Sequence, residues 1–214
     1  MTSNSKPPGK FITLEGGDGT GKSTQARQLG AYLEARGLDV LLTREPGGAP
    51  GSDDIRKLLL TGDPDRWDVV GETLLFYASR RNHLRLTVWP ALAAGKWVIS
   101  DRFADSTMAY QGYGNRMGAG NVRKIHEVAV GDFEPDLTYI LDMEVEAGLK
   151  RTQGRGHDED RFERMKLDFH KRMRAGFLEI AKENPHRCVI VDADRPIDAI
   201  QSDMQQILDQ RLPA

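Results

Sequence analysis

Five short runs of apolar residues divide the chain, and each run is nearly continuous rather than alternating with polar positions. They cover residues 11–15, 39–43, 97–100, 137–141 and 188–191. Near-continuous apolar runs are typical of parallel strands that are covered on both faces. The pattern therefore predicts a buried, five-stranded parallel sheet.

The segments between these runs have helical periodicity. In the segment 22–36, Ala26, Leu29 and Leu33 recur at helical spacing, and Gly37 is typical of a residue that ends a helix. Pro90 is expected to kink or divide the long segment 68–95. Strands that alternate with helices predict βαβ units and an α/β fold of three layers, with helices on both faces of the sheet. The predicted helices cover residues 22–36, 68–95, 121–130, 144–151, 160–183 and 197–212.

Composition agrees with one folded domain and excludes several classes of function. The 214 residues are 39% hydrophobic and 29% charged, with a net charge of −2, so there is no overall basic bias towards nucleic acid. One cysteine, Cys188, cannot form an intrachain disulfide. No apolar run approaches the roughly 18 residues that span a membrane. These features predict a cytoplasmic protein with no nucleic-acid or membrane partner.

The first ten residues differ from the rest of the chain. They are polar, contain Pro7, Pro8 and Gly9, and lack the apolar core of a signal peptide. We expect residues 1–10 to form a flexible tail. No internal repeat or shift in composition divides the remainder, so residues 11–214 are predicted to form a single domain.

A glycine-rich loop joins the first predicted strand to the first predicted helix. Its spacing is that of a phosphate-binding P-loop, GxxxxGK[ST], in which backbone N–H groups and a helix N-terminus converge on phosphate oxygens. Lys22 is expected to reach the outer phosphates and Ser23 to ligate Mg²⁺. The strand–loop–helix context disfavours a chance match, but the loop alone does not separate a kinase from an ATPase or a switch. The predicted nucleotide-binding residues are Gly16, Gly17, Asp18, Gly19, Thr20, Gly21, Lys22, Ser23 and Thr24.

Asp101 and Arg102 directly follow the third apolar run. Because ligands bind at the carboxyl ends of strands in open α/β sheets, we expect Asp101 near the magnesium ion and Arg102 directed at phosphates. The alternative is a structural ion pair between the two side chains.

The connector around residues 151–161 carries two further arginines, Arg155 and Arg161. Gly154 and Gly156 would make it flexible, and its arginines could close over bound phosphates as a lid. The alternative is a solvated loop between two helices. Phosphoryl transfer needs cations on several sides of the moving group, which favours the lid in a chain that also has a P-loop.

Several motifs together resemble those of bacterial thymidylate kinase. Their order and spacing match over nearly the whole chain after the tail, and the second and fourth are more specific than the P-loop. They are Glu15-Gly-Gly-Asp-Gly-Thr-Gly-Lys-Ser-Thr24, Thr43-Arg-Glu-Pro-Gly-Gly48, Phe76-Tyr-Ala-Ser-Arg80, Asp101-Arg-Phe103, Tyr110-Gln-Gly112 and Pro135-Asp-Leu-Thr-Tyr-Ile-Leu-Asp142. The resemblance implies a P-loop kinase fold, transfer of the γ-phosphoryl group of ATP to dTMP with Mg²⁺, and a homodimer in the cytoplasm.

The resemblance also implies roles for residues of the acceptor site. Phe76 would lie against the thymine ring, and Arg80 would donate to its O4, an acceptor that cytosine replaces with a donor amine. Asp18 would meet the 3′-hydroxyl of the sugar; the alternative is a turn residue that bonds its own backbone. The remaining acceptor-site residues implied are Pro46, Arg102, Ser106, Thr107 and Tyr110, the last of which would crowd the 2′ position.

The expected mechanism needs no general base, because the nucleophile is a phosphate oxygen that is largely dianionic at neutral pH. The negative charge of the donor and acceptor phosphates would be neutralised by Lys22, Arg102, Mg²⁺ and a lid arginine. Arg155 is the first candidate for the lid arginine and Arg161 the second. The expected catalytic residues are therefore Lys22, Arg102, Arg155 and Asp18. Ser23 and Asp101 are the expected metal ligands. The competing hypotheses are a P-loop kinase with another acceptor, a nucleotide-binding switch, and a nucleic-acid-binding ATPase, the last disfavoured by an isoelectric point near 6.2.

Overall fold

The structure, a computed structural model, describes residues 9–152 and 159–213. The described residues form a parallel sheet whose strands are the five that the apolar runs predict, each within one residue of its predicted bounds. They are β1 Phe11–Glu15, β2 Val40–Arg44, β3 Trp97–Asp101, β4 Leu137–Asp142 and β5 Cys188–Asp192.

The strand order is β2-β3-β1-β4-β5, so β1 lies at the centre of the sheet. Leu14 of β1 is paired with Asp101 at the end of β3, and Glu15 is paired with Ile140 of β4. This register brings the loop after β1 beside the polar residues that follow β3. The carboxyl edge of the sheet is therefore where the predicted site residues meet.

Helices cover both faces of the sheet, which confirms the predicted α/β fold. The described helices are α1 Lys22–Ala35, α2 Pro50–Leu60, α3 Val69–His83, α4 Trp89–Ala93, α5 Ala104–Thr107, α6 Ala119–Ala129, α7 Val145–Thr152, α8 Leu167–Glu183 and α9 Ile197–Arg211. On one face, α1 and α9 pack on the inward side chains of β1 and β4. On the other face, α3, α4, α6 and α8 supply the covering residues.

The helical predictions need correction at four places, one of which is the short helix α5, which was not predicted. Helix α2 was not predicted, because its sequence opens with Pro50, Gly51, Ser52 and two aspartates, a composition typical of a loop. Proline is nevertheless favourable at the first position of a helix, where Pro50 lies. The segment 68–95 is divided, but by a π-helical turn at Leu84–Val88, whereas Pro90 falls in the first turn of α4. The helix predicted to begin at residue 160 begins at Leu167.

Two residues that the sequence assigns to the N-terminal tail belong to the folded part. The Gly9 N–H donates to the Leu92 carbonyl at 3.0 Å, and Lys10 Nζ forms an ion pair with Asp136 Oδ1 at 2.9 Å. Residues 1–8 lie outside the described part of the chain.

The single cysteine is part of the core. Cys188 is buried in the cluster that α8 forms with β4, and burial raises the pKa of its thiol to about 12. Among the described helices, none is both long enough and apolar enough to cross a membrane.

Candidate active site

A cavity of about 430 Å³ opens at the carboxyl edge of the sheet. The loops after β1, β2 and β3 form its floor, and α3, the segment after α5 and Phe162 form its walls. Every acceptor-site residue predicted from the sequence lines this cavity: Asp18, Pro46, Phe76, Arg80, Arg102, Ser106, Thr107 and Tyr110. Lys22, Ser23, Thr24 and Asp101 line it as well, so the structure brings the predicted donor and acceptor sites together.

The P-loop has a backbone that only glycine adopts readily at several positions. Gly16, Gly19 and Gly21 have φ angles of 126°, 80° and 90°. A Cβ atom at position 19 would lie 2.1 Å from the carbonyl oxygen of Gly148 in α7. Thr20 closes the turn by donating to the Gly17 carbonyl at 2.9 Å. These glycines let the loop turn tightly into the N-terminus of α1, and the N-terminus of a helix is where phosphate groups are commonly bound.

Lys22 is buried at the start of α1. Its Nζ donates to the Gly17 carbonyl at 2.7 Å. Burial, and then the nearby charge of Arg102, lowers the pKa of Lys22 to about 8. Two cations crowded into a poorly solvated site favour an anionic ligand between them.

The residues expected to bind a metal are adjacent. Ser23 Oγ donates to Asp101 Oδ2. Mg²⁺ prefers oxygen ligands and commonly takes only one or two from the protein, with waters and substrate phosphates supplying the rest. Among the described residues there is no group of three or more His, Cys, Asp or Glu side chains that could hold a metal ion. The serine–aspartate pair beside a P-loop therefore fits a magnesium ion that is bound together with a nucleotide.

Arg102 is the centre of a polar cluster on the cavity floor. Its Nη1 donates to the Gly16 carbonyl at 2.9 Å and to Ser106 Oγ at 3.0 Å, and its Nη2 donates to Asp18 Oδ1 at 2.6 Å. Tyr110 Oη lies 2.9 Å from the same Nη2 and donates to Asp18 Oδ2 at 3.0 Å. The Arg102 backbone has a φ of 73°, a left-handed conformation that costs a non-glycine residue about 1–3 kcal/mol and is concentrated at functional sites.

Asp18 remains a carboxylate in this cluster. Burial alone would raise the pKa of Asp18, but the charges of Arg102 and Lys22 outweigh burial and hold it below its ordinary value. An ionised carboxylate is an acceptor only, and it can therefore bind a hydroxyl group in the cavity.

Glu15 is a functional candidate that the sequence reading did not single out. This buried carboxyl group accepts from the Phe103 N–H at 2.7 Å and from Ser106 Oγ at 2.5 Å, and so it supports the turn on which Arg102 sits. Burial, and then the charge of Asp105, raises the pKa of Glu15 to about 7. A charged residue at the end of a predicted buried strand, directly before the P-loop, was the available signal.

Arg80 is buried and lines the same cavity. Its Nε donates to Glu45 Oε2 at 2.7 Å, and its Nη2 donates to the Phe103 carbonyl and to Thr107 Oγ1, both at 3.0 Å. Glu45 is held in turn by His83 Nδ1 at 3.0 Å. Within the described part of the chain, Arg80 Nη1 has no hydrogen-bond partner. A rigid, buried cation with an unused donor lines the cavity at this point.

Gln111 also lines the cavity and was named in the sequence analysis only as part of a motif. It is fully buried, and its Nε2 donates to Glu72 Oε1 at 2.8 Å. Its Oε1 accepts from no donor among residues 9–152 and 159–213. Gln111 and Arg80 therefore each carry a buried polar atom without a partner among the described residues, and both residues line the cavity together with Phe76.

Comparison with known proteins identifies the family and agrees with the fold. A family model described as thymidylate kinase matches residues 14–204. The chain belongs to the thymidylate kinase family. It is therefore a phosphotransferase of the nucleoside monophosphate kinase type, and the resemblance inferred from the motifs is confirmed.

Similar members of the thymidylate kinase family come from several bacteria. Thymidylate kinase of Ruegeria pomeroyi is 52% identical over 200 residues, which are 94% of this chain and 94% of that protein. Thymidylate kinase of Caulobacter vibrioides is 50% identical over 204 residues, which are 95% of this chain and 98% of the other. The crystal structure of thymidylate kinase from Ehrlichia chaffeensis has a TM-score of 0.77 and 36% identity, and covers 95% of this chain and 99% of that chain.

Two arginines, Arg155 and Arg161, are the candidates for a lid that closes over the phosphates. Arg155 lies outside the described residues. Arg161 is buried, donates to the carbonyls of Leu59 at 3.2 Å and Asp63 at 3.0 Å, and forms an ion pair with Glu72. Arg161 is thus part of the cavity's supporting wall, which disfavours it as an arginine that closes over phosphates.

Arg151 connects α7 to the segment after β5. It donates to the Ala193 carbonyl at 3.1 Å and to Asp194 Oδ1 at 2.9 Å. These two bonds hold the end of α7 against the residues that directly follow β5.

Proposed function

We propose that the protein transfers the γ-phosphoryl group of ATP to dTMP and releases dTDP and ADP, with Mg²⁺ as cofactor. The observation that carries the choice of acceptor is the pair of buried, unused polar atoms on Arg80 and Gln111. Because this reaction supplies a precursor for nucleotide synthesis, we expect the protein to act in the cytoplasm.

Thymine complements this pair of atoms. Its O4 is an acceptor and its N3–H is a donor, so Arg80 would donate to O4 and Gln111 Oε1 would accept from N3–H. Cytosine presents a donor amine and an acceptor at the same two positions and would leave both protein groups unpaired. Sites that hydrogen-bond a substrate group reject analogues lacking it by large factors. Phe76 would cover the face of the ring.

The sugar would lie over the polar cluster that surrounds Arg102. Asp18 is an ionised acceptor and would accept from the 3′-hydroxyl. The Tyr110 ring, which packs 5.0 Å from the Arg102 guanidinium, would crowd the 2′ position and favour deoxyribose.

Charge neutralisation would carry the transfer step. The phosphate of dTMP has a second pKa of about 6 by analogy with phosphorylated side chains, so its oxygen attacks without a general base. Arg102 would contact the acceptor phosphate and the incoming phosphoryl group, and Lys22 would contact the donor phosphates. We retain Arg155 as the first candidate for a further cation. When bound, Mg²⁺ would be held by Ser23 and Asp101 and would neutralise charge on the phosphates.

The proposed acceptor can be tested with a panel of nucleotides. ADP release with ATP and Mg²⁺ is expected to be fast with dTMP, weaker with dUMP, and at least about a thousandfold lower in kcat/KM with dCMP. UMP tests the deoxyribose preference, and dGMP and dAMP are the purine controls. Faster turnover with dCMP or a purine nucleotide than with dTMP would overturn the assignment of Arg80 and Gln111.

We further propose that two copies of the chain associate through the outer side of α3 and α6. Val70 and Leu74 lie one turn apart on α3 and are 48% and 52% exposed, and Val128 on the adjoining α6 is 89% exposed. Apolar side chains grouped on neighbouring helices are typical of protein interfaces. Sedimentation velocity is expected to give a dimer, and Leu74→Glu a monomer of unchanged fold. A monomeric wild type at micromolar concentration would contradict this proposal.

A further inference from the structure

Glu72 lies behind the cavity wall, in the first turn of α3. It is 1% exposed, and both of its carboxylate oxygens are used. Oε1 accepts from Gln111 Nε2 at 2.8 Å and from Asn115 Nδ2 at 3.2 Å, and Oε2 accepts from Arg161 Nη1. Glu72 does not line the cavity itself.

The chemistry of a carboxylate fixes the orientation of its neighbours. A carboxylate accepts and does not donate, so a side-chain amide can approach it only through its NH₂ group. Gln111 must therefore turn Nε2 towards Glu72, which leaves Oε1 without a partner beside the cavity that Gln111 lines. A neutral amide at position 72 would not impose this choice.

We propose that Glu72 is a positioning residue that determines base specificity, because it holds the Gln111 amide as a hydrogen-bond acceptor for thymine N3–H. The inference rests on the proposed function, in which dTMP is the acceptor. Arg161 completes the arrangement by occupying the second oxygen of Glu72, while its bonds to the Leu59 and Asp63 carbonyls fix it to the end of α2 and the loop after it. Base recognition is thus set by a residue that contacts no substrate.

The variant Glu72→Gln reverses the proposed orientation. Arg161 is a donor only, so the new amide turns its oxygen to Arg161 and its NH₂ group to Gln111. Gln111 then turns its own oxygen to position 72 and directs Nε2 into the cavity. The group that faces thymine N3–H changes from an acceptor to a donor.

The probe for this change is dCMP, whose N3 is an acceptor at the position where thymine has N3–H. In the wild type, kcat/KM with dCMP is expected to be at least about a thousandfold below that with dTMP. In Glu72→Gln, Gln111 Nε2 would donate to N3 of dCMP and oppose N3–H of dTMP, so the preference for dTMP over dCMP is expected to fall about tenfold or more, mainly through a higher KM for dTMP. Part of the preference persists, because Arg80 still faces the amine of dCMP.

Three further variants separate orientation from general damage. Asn115→Ala removes a donor from the same Glu72 oxygen and leaves Gln111 bonded, so the preference for dTMP over dCMP should stay at the wild-type value. Glu72→Gln combined with Gln111→Glu lacks the ion pair with Arg161 but restores an acceptor in the cavity, so the preference should return.

Glu72→Asp keeps a carboxylate but shortens its reach, so the KM for dTMP should rise several-fold. This variant carries the test if Glu72→Gln does not fold.

The outcomes distinguish the two proposals. If the wild type does not prefer dTMP to dCMP, the proposed function fails. If the wild type shows that preference but Glu72→Gln keeps the wild-type ratio of kcat/KM for dTMP to that for dCMP, only the role of Glu72 fails. An unchanged KM in Glu72→Asp, or no recovery in the double variant, would also overturn that role.

Discussion

Replacing Arg102 with alanine is expected to lower kcat for dTMP phosphorylation by about a thousandfold or more, as loss of an arginine that stabilises a transferring phosphoryl group does in other enzymes. In the structure Arg102 bonds Asp18, Tyr110, Ser106 and the Gly16 carbonyl, so one guanidinium connects the P-loop with the acceptor side of the cavity. The measurement is steady-state turnover with saturating ATP and Mg²⁺. A loss confined to a few-fold would show that Arg102 does not contact the transferring group.

The unusual backbone of Arg102 supplies the control. Alanine at a φ of 73° keeps the strain, whereas glycine removes it. If the lost guanidinium is responsible, Arg102→Gly and Arg102→Ala should be equally slow. Near-normal activity in the glycine variant alone would instead assign the defect to the backbone. Arg102→Lys should recover only part of the activity, because an ammonium group lacks the fork of donors that a phosphate can engage.

Replacing Arg80 with methionine is expected to lower kcat/KM for dTMP by about a hundredfold, since a hydrogen bond to a charged group contributes about 1.5–3 kcal/mol. The loss should fall mainly on KM, and dCMP should no longer be rejected on account of its amine. Parallel kinetics with dTMP and dCMP measure both effects. An unaltered ratio of dTMP to dCMP would contradict the role of Arg80 at O4.

This substitution needs a matched control, because it removes the guanidinium partner of buried Glu45. Breaking a buried ion pair on one side destabilises a protein by about 3–5 kcal/mol. Combining Arg80→Met with Glu45→Gln removes the unpaired charge and should recover much of the thermal stability while leaving the base preference lost. Recovery of both together would show that the kinetic defect of Arg80→Met came from instability.

The sequence predicted the sheet well and the irregular helices poorly, for physical reasons. The central strands β1, β3 and β4 are buried and largely apolar, and such a pattern can be read locally; the edge strands β2 and β5 are partly exposed but keep enough apolar residues to be recognised. Helix α2 is largely half-exposed and carries few apolar residues in its first two turns, so its periodicity was weak. The π-helical turns at Leu84–Val88 and Met108–Gly114 depend on tertiary contacts, such as the two bonds from Arg172 to the Gly114 carbonyl.

The residues of the candidate site likewise fall into those that the sequence predicted and those that only the folded structure identifies. Lys22, Asp101, Arg102, Phe76 and Arg80 stand in motifs with recognisable spacing, and the structure brings them to one cavity. The motifs gave no weight to Gln111, Glu72 or Glu15. Their importance follows from which hydrogen-bond groups are used and which are left over, and that can be determined only once the chain is folded.

The buried position of Cys188 has a practical consequence. The nucleophilic form of cysteine is the thiolate, and a pKa of about 12 leaves almost none at neutral pH. A second cysteine placed at an exposed position such as Lys57 on α2 would therefore react with maleimide dyes far faster than the native thiol. Site-specific fluorescent labelling of α2 can thus be carried out without first removing the natural cysteine from the core.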